Sequence, residues 1–141
     1  MFRNVVSAAV ILCATVSFAC AGSAPDMKEG KWEISTTVGV EGMIVETEPM
    51  NDIQCLTKKN FLPPLADMGK ECKATNIKVK GNVVKWTMKC NEQAGSMESV
   101  GTITYKGDKF EGTIKTTIKD PKAGKMTMVQ RMIGKRIGGC K

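Results

Sequence analysis

The chain of 141 residues contains no histidine. Histidine is the commonest acid or base of enzymes near neutral pH, and it activates most serine and cysteine nucleophiles. The sequence also lacks a C-x-x-C pair, which is a usual part of structural zinc sites. The carboxylate pairs Glu46/Glu48 and Asp108/Glu111 fall on an exposed strand face and at a turn, which is typical of solvated surface. These features predict a protein that is not an enzyme and that carries no zinc or other cofactor.

Charged side chains are missing from the stretch between Val5 and Ala21, which follows Arg3 and ends in small residues. A basic start, an apolar run and a small-residue cleavage site in this order are typical of a secretory signal peptide. The run is shorter than the roughly 20 apolar residues that a membrane-spanning helix requires. We therefore expect residues 1–21 to be a signal peptide and residues 22–141 to be a single domain with no transmembrane segment.

Cys20 offers a second fate for the N-terminus, as the acylated first residue of a lipoprotein. Such a site prefers leucine three places before the cysteine and a small residue two places before it, whereas this chain has Ser17 and Phe18 there. We therefore favour a soluble exported protein over one that is anchored through Cys20.

The charge balance is basic. Arg3 is the only charged residue of the signal segment, so the mature domain keeps 20 basic and 14 acidic side chains and a net charge of +6. A charge of this sign favours contact with anionic surfaces. No basic stripe with interleaved aromatic residues is present, so nucleic acid is not expected as a partner.

Four cysteines belong to the mature domain: Cys55, Cys72, Cys90 and Cys140. An even number in a small exported domain indicates disulfides. The segment between Cys72 and Cys90 consists of two β-rich runs around a Gly-Asn turn, so folding it as a hairpin brings these two cysteines together. Cys55 is then left to pair with Cys140.

Short alternating runs separated by turn dipeptides predict an all-β fold. We expect about seven antiparallel strands in one meander, forming a strongly bent sheet or an incomplete up-and-down barrel, with one short helical turn between Thr57 and Met68. The third hairpin is the clearest, with Met97 to Tyr105 meeting Phe110 to Ile118 around Gly107-Asp108. The first is predicted as a two-residue hairpin in which Met43, Val45 and Thr47 return beside Trp32 to Val40. In the second hairpin, Cys72 is one residue out of register with Cys90, which predicts a bulge or a slightly longer turn.

The order of several short segments is similar to that of a known family of secreted bacterial proteins. The match runs from about Lys28 to Lys141, and it is carried by Glu29 to Ile34, Gln54 to Thr57, the Cys72 to Cys90 hairpin with Trp86, Gly101 to Tyr105, Phe110 to Thr113, and Gly134 to Cys140. The chain thus resembles the family catalogued as domain of unknown function 3617. The resemblance implies an envelope protein in the periplasm of a Gram-negative bacterium, and it brings no catalytic residues. Many members have a first hairpin rich in proline and methionine, whereas this chain has Glu41 to Val45.

A bent sheet with an apolar inner face could hold an apolar small molecule. The expected lining consists of Trp32, Trp86, Ile103, Tyr105, Phe110 and Met128. The leading hypothesis is a non-enzymatic envelope protein that binds an apolar ligand, an anionic surface or a partner protein.

Basic side chains of three strands share the outward parity. They are Lys85, Lys89, Lys115, Lys119, Lys125 and Arg131. If these strands are neighbours, the six residues form a basic face that can dock on an anionic membrane surface or on an acidic envelope protein.

Methionines at alternating positions of the last strand, Met126, Met128 and Met132, suggest an alternative function. Thioethers are soft ligands for Cu(I), so a periplasmic copper-binding protein is the second hypothesis. Gap filling in a small core is the competing explanation for the same residues. Oligomeric state is not specified by any of these patterns.

Overall fold

The computed structural model describes residues 24–63, 72–92 and 95–141 of the chain. The predicted signal peptide and the second half of the predicted helical turn lie outside these ranges. Seven β-strands account for most of the described residues: β1 (Gly30–Val40), β2 (Met50–Leu56), β3 (Cys72–Lys80), β4 (Val83–Glu92), β5 (Gly95–Lys106), β6 (Lys109–Asp120) and β7 (Gly124–Gly138). No helix in these ranges is long and apolar enough to cross a membrane.

All seven strands form one antiparallel sheet in the order β2-β1-β7-β6-β5-β4-β3. The prediction of an all-β, seven-stranded antiparallel sheet is therefore confirmed. Pairing of consecutive strands, as expected for a meander, holds from β3 to β7 and between β1 and β2. The expected pairing of β2 with β3 was wrong. These two strands are the edges of the sheet, because β1 pairs with the free side of β7. The sheet is thus not closed.

The sheet curls around its apolar face, which we call the inner face. Trp32 on β1 and Tyr105 on β5 are separated by two strands, which in a flat sheet would place them about 14 Å apart. Their ring centroids are nevertheless only 6.0 Å apart, and Phe110 lies 5.5 Å from both rings. Each of these three side chains is at most 1% exposed. The aromatic cluster is therefore the centre of the core, and it exists because the sheet bends.

The segment before β1 closes one end of the curled sheet. Pro25 and Met27 are buried, and the Asp26 amide donates to the carbonyl of Gly81 in the β3–β4 turn, at 2.9 Å. The Trp32 indole donates to the Lys28 carbonyl at 3.2 Å. Leu56 at the end of β2 and Leu62 in the β2–β3 connection belong to the core, and the Tyr105 hydroxyl donates to the Phe61 carbonyl. We call this end of the sheet the covered end and the opposite one the open end.

The third hairpin pairs in the predicted register, with Met97 opposite Ile118 and Tyr105 opposite Phe110. In the second hairpin Cys72 faces Cys90, and the register shifts between Thr75 and Lys78. The predicted bulge is therefore confirmed. Asn76 within it has a positive φ of 52°, a conformation that asparagine tolerates better than most residues.

Both predicted disulfides are present, Cys72–Cys90 and Cys55–Cys140. The first joins the two ends of a hairpin, with Cα atoms 4.3 Å apart. The second spans 85 residues of sequence and fastens edge strand β2 to the segment after β7. Strand β2 and the end of β7 flank β1, since Lys31 faces Cys55 on one side and Gly138 on the other.

The first hairpin differs from the prediction. Glu41 and Gly42 do turn, but the returning strand begins only at Met50, and the continuous β1–β2 ladder ends at Thr36. Beyond it, Gly39 and Glu46 form an isolated bridge. Met43 and Val45 are exposed by 67% and 77% and lie in the connecting loop. The observed register places Leu56 on the inner face, where it is fully buried, so core packing and not local alternation sets the pairing.

The described part of the predicted helical turn is a tight turn. Thr57 and Asn60 exchange two backbone hydrogen bonds of 3.0 Å. Residues 64–68 of that prediction lie outside the described ranges.

Candidate functional site: a lysine-lined groove

A groove of about 680 Å³ lies at the end of the sheet opposite the aromatic cluster. Four of the six predicted basic residues line it: Lys89 from β4, Lys115 and Lys119 from β6, and Lys125 from β7. They project from the outer face because inward positions of the same strands hold core residues such as Met88 and Ile114. The adjacency of β4, β5, β6 and β7 brings these side chains together, as the sequence predicted on the condition that the strands are neighbours.

Two of these lysines face each other directly. Lys119 and Lys125 are partners in the β6–β7 register, which places their Cβ atoms about 5 Å apart. Like charges at such positions repel and destabilise the pairing. An anion that binds between the two ammonium groups removes this repulsion.

The remaining wall of the groove is partly apolar. Val100 on β5 is 52% exposed, and Thr117 and Ser96 continue the surface. Glu98 is an acidic lining residue and lies opposite Lys89 in the β4–β5 register. The groove thus combines excess positive charge with exposed apolar surface. Its lysines were predicted from the sequence, whereas Val100 and Glu98 were not.

Ion pairs divide the predicted basic face into two groups. Lys115 binds Glu41 Oε1 at 2.8 Å, and Arg131 pairs with Glu46. The hydrogen bond from Lys115 and its charge lower the pKa of Glu41, and the charge of Lys125 adds to this effect. Among the side chains that the structure describes, Lys85, Lys89, Lys119 and Lys125 form no such pair.

The first-hairpin loop supplies both of these glutamates. Sequence reasoning missed the pairs because it placed Glu41 in a two-residue turn and Glu46 on a strand. The other carboxylates considered, Asp108 and Glu111, pair with Lys28 at 3.1 Å and Lys106 at 3.0 Å on exposed surface. Each of these four carboxylates therefore forms an ion pair with a basic side chain.

The predicted lining of an apolar ligand site lies in the core. Trp32, Trp86, Ile103, Tyr105 and Phe110 are each at most 1% exposed and belong to one cluster of buried side chains. Met128, the sixth predicted residue, is half-buried nearer the open end. The five residues therefore fill the interior of the sheet themselves.

The three methionines proposed for copper are spread along β7. Met126 and Met132 are six residues apart, which in a strand corresponds to about 20 Å. Met132 is 4% exposed and packs over Gly112, whereas Met126 is 45% exposed. One ion cannot reach all three thioethers. Of the three, only Met126 and Met128 are close enough to coordinate the same ion. Copper binding stays a prediction.

The comparisons with known proteins agree with the resemblance seen in the sequence. Residues 27–140 match the model of the family described as protein of unknown function (DUF3617), so the chain belongs to this family. No curated protein and no solved structure matches the chain.

Proposed function

We propose that the mature chain is a non-enzymatic module of the bacterial envelope that docks on an anionic membrane surface through the lysine-lined groove. The observation that carries this proposal is the convergence of four lysines from three strands on one groove, with Lys119 directly opposite Lys125. The lysines of such a site bind the phosphate groups of lipid headgroups.

The composition of the groove supports a membrane as the anionic surface. Each basic residue near an anionic leaflet contributes about 1 kcal/mol to association. Lysine stems can lie along apolar surface while the ammonium groups reach the headgroups. Val100, exposed at the groove, supplies apolar surface for this contact.

The disulfides support an exported location for this function. Disulfides form and persist in oxidising compartments and are rare in the cytosol of mesophiles. We propose the periplasm, in agreement with the signal-like N-terminus, and a soluble rather than lipid-anchored chain.

Vesicle co-sedimentation tests the proposal with protein that begins at Gly22, so that no acyl chain on Cys20 can contribute. We expect the protein to bind vesicles of phosphatidylglycerol and phosphatidylcholine at low salt and to leave vesicles of phosphatidylcholine alone in suspension. Exposed charges are screened by ions, so binding should be largely lost near about 0.5 M salt.

A matched pair of variants separates the groove from overall charge. In the first, Lys89, Lys119 and Lys125 are changed to glutamate, and we expect affinity to fall at least about tenfold from the loss of these headgroup contacts. In the second, Lys31, Lys109 and Lys135 at the covered end are changed to glutamate, which alters net charge equally. Equal loss in both variants, salt-insensitive binding, or no binding to the anionic vesicles would contradict the proposal.

A further inference from the structure

A second cleft lies on the inner face beneath edge strand β2, away from the lysine-lined groove. It has a volume of about 230 Å³, with walls that include Ile34, Met50 and Met132 and polar groups from Asp52, Gln54 and Gln130. Ile34 and Met132 are 3% and 4% exposed. This volume corresponds to about eight water molecules in the liquid, which is enough for a short aliphatic ligand.

The register of β2 explains why polar groups reach this cleft. Asp52 lies opposite Ile34 and Gln54 opposite Trp32, so both occupy inward positions of the edge strand. Most residues at equivalent positions of the sheet are apolar and buried. A carboxylate and an amide therefore interrupt an otherwise apolar face.

The hydrogen bonds of these two residues determine how the Gln54 amide is oriented. Asp52 Oδ1 accepts from the Ile53 amide, and its Oδ2 accepts from Gln54 Nε2, each at 2.8 Å. A carboxylate offers only acceptors, so the amide atom beside it must be the nitrogen donor. Gln54 Oε1 must then point away from Asp52.

Gln54 Oε1 is buried and has no hydrogen-bond partner among the described residues. An unpaired buried acceptor costs about 1–3 kcal/mol, so such groups are normally satisfied by a ligand or by water. Among the residues that the structure describes, neither lysine nor arginine lines the cleft, and Asp52 takes part in no ion pair of the described side chains. The described walls of the cleft therefore present the unpaired acceptor of Gln54 and the negative charge of Asp52 without a matching cation.

We propose that this cleft binds a small protonated amine with a short apolar body. The ammonium group donates to Gln54 Oε1 and to the carboxylate of Asp52, and the aliphatic part packs against Ile34 and Met132. Such a ligand supplies a donor for Gln54 Oε1, a positive charge for Asp52 and an apolar body that matches the apolar walls of the cleft. The site is independent of membrane docking, which requires ligands of the opposite charge on the outer face of the sheet.

The test is an NMR titration of the isotopically labelled chain that begins at Gly22, with n-hexylamine as the probe and hexanoate as the probe of opposite charge. We expect saturable shifts of the β2 amides and of Gln130 and Met132 with hexylamine, and no such shifts with hexanoate. Asp52→Asn retains an oxygen acceptor for the Ile53 amide and should weaken binding at least tenfold. Asp26→Asn makes the same charge change outside the cleft and should leave the affinity unaltered.

Gln54→Leu provides a second variant in case Asp52→Asn perturbs the edge strand, and it should also weaken the amine at least tenfold. Thermal unfolding of each variant identifies any loss of fold. The proposal is overturned by the absence of saturable shifts, by equal shifts with hexanoate, or by affinity that survives both cleft variants. Water would then satisfy Gln54, and Asp52 would be an inward charge that protects an edge strand from pairing with other chains.

Discussion

The ring of Phe110 lies directly over Gly134, its partner across the β6–β7 ladder. A Cβ atom built at Gly134 would overlap the ring, and the same holds for Gly101 beneath the Trp86 ring. These close approaches let large aromatic side chains lie flat in a thin, curled sheet. In the third hairpin Ile103 faces Gly112 in the same way.

Gly134→Ala should therefore destabilise the domain by about 1–3 kcal/mol, because the ring must move out of a fully packed core. Chemical denaturation monitored by tryptophan fluorescence measures this change. Gly139→Ala is the control, since the nearest atom to a Cβ there is 3.8 Å away. A similar free energy of unfolding for Gly134→Ala and the wild type would show that the core has room at this position.

Tyr105 should resist ionisation until the protein unfolds. It is the chain's single tyrosine, and burial raises its pKa well above the ordinary value. The neutral phenol is the form that the fold stabilises. This contribution is complete below about pH 10, the pKa of an unfolded tyrosine, and is lost as the pH rises toward the folded value.

Ultraviolet absorbance of tyrosinate during a pH titration checks the expectation, with near-ultraviolet circular dichroism recorded in parallel. We expect the tyrosinate signal to appear together with the loss of the native dichroism. Ionisation near pH 10 with native dichroism intact would mean that the phenol is accessible to solvent.

The two disulfides should differ in their contributions to stability. They close loops of 85 and 18 residues of sequence separation, for which the chain-entropy model gives about 4.5 and 3 kcal/mol. The double variant Cys55→Ala/Cys140→Ala should therefore lose more stability than Cys72→Ala/Cys90→Ala. Replacing the buried Cys90 leaves a small cavity, which adds to the loss in the Cys72→Ala/Cys90→Ala variant. The difference in stability loss between the two double variants should therefore be about 1 kcal/mol.

Denaturant midpoints of the two double variants and the wild type provide this comparison. Peptide mapping without reduction confirms the pairing in the wild type beforehand. A larger loss for the Cys72/Cys90 variant would show that native packing around the hairpin, and not loop closure, dominates the effect.

Features that depend on neighbours in sequence could be predicted well. The register of the third hairpin follows from alternation and a Gly-Asp turn, which together allow one pairing that keeps both apolar faces inward. The bulge near Asn76 follows from the one-residue mismatch between the Cys72/Cys90 pair and the turn. The parity of Lys89, Lys119 and Lys125 follows from the same alternation.

Features that depend on distant segments could not be predicted in this way. The connection between Glu41 and Met50 is longer than a tight hairpin because the buried position of Leu56 decides the register of β2. Lys115 and Arg131 are paired with glutamates of that loop, which reduces the free charge of the basic face. The inward direction of Asp52 and Gln54 follows from the same register.

The sequence by itself determined the strands other than β2, the hairpin registers of its second half, the disulfide pairing and the outward lysines, since all of these depend on a period of two and on short turns. Only the tertiary structure decided that β1 joins β7 and that Trp32 meets Tyr105 and Phe110. Those contacts connect residues far apart in the chain, and their free energy arises from burying aromatic surface in a curled sheet. Local patterns do not record which distant strand supplies the partner, and so the groove and the cleft emerge only when the sheet is assembled.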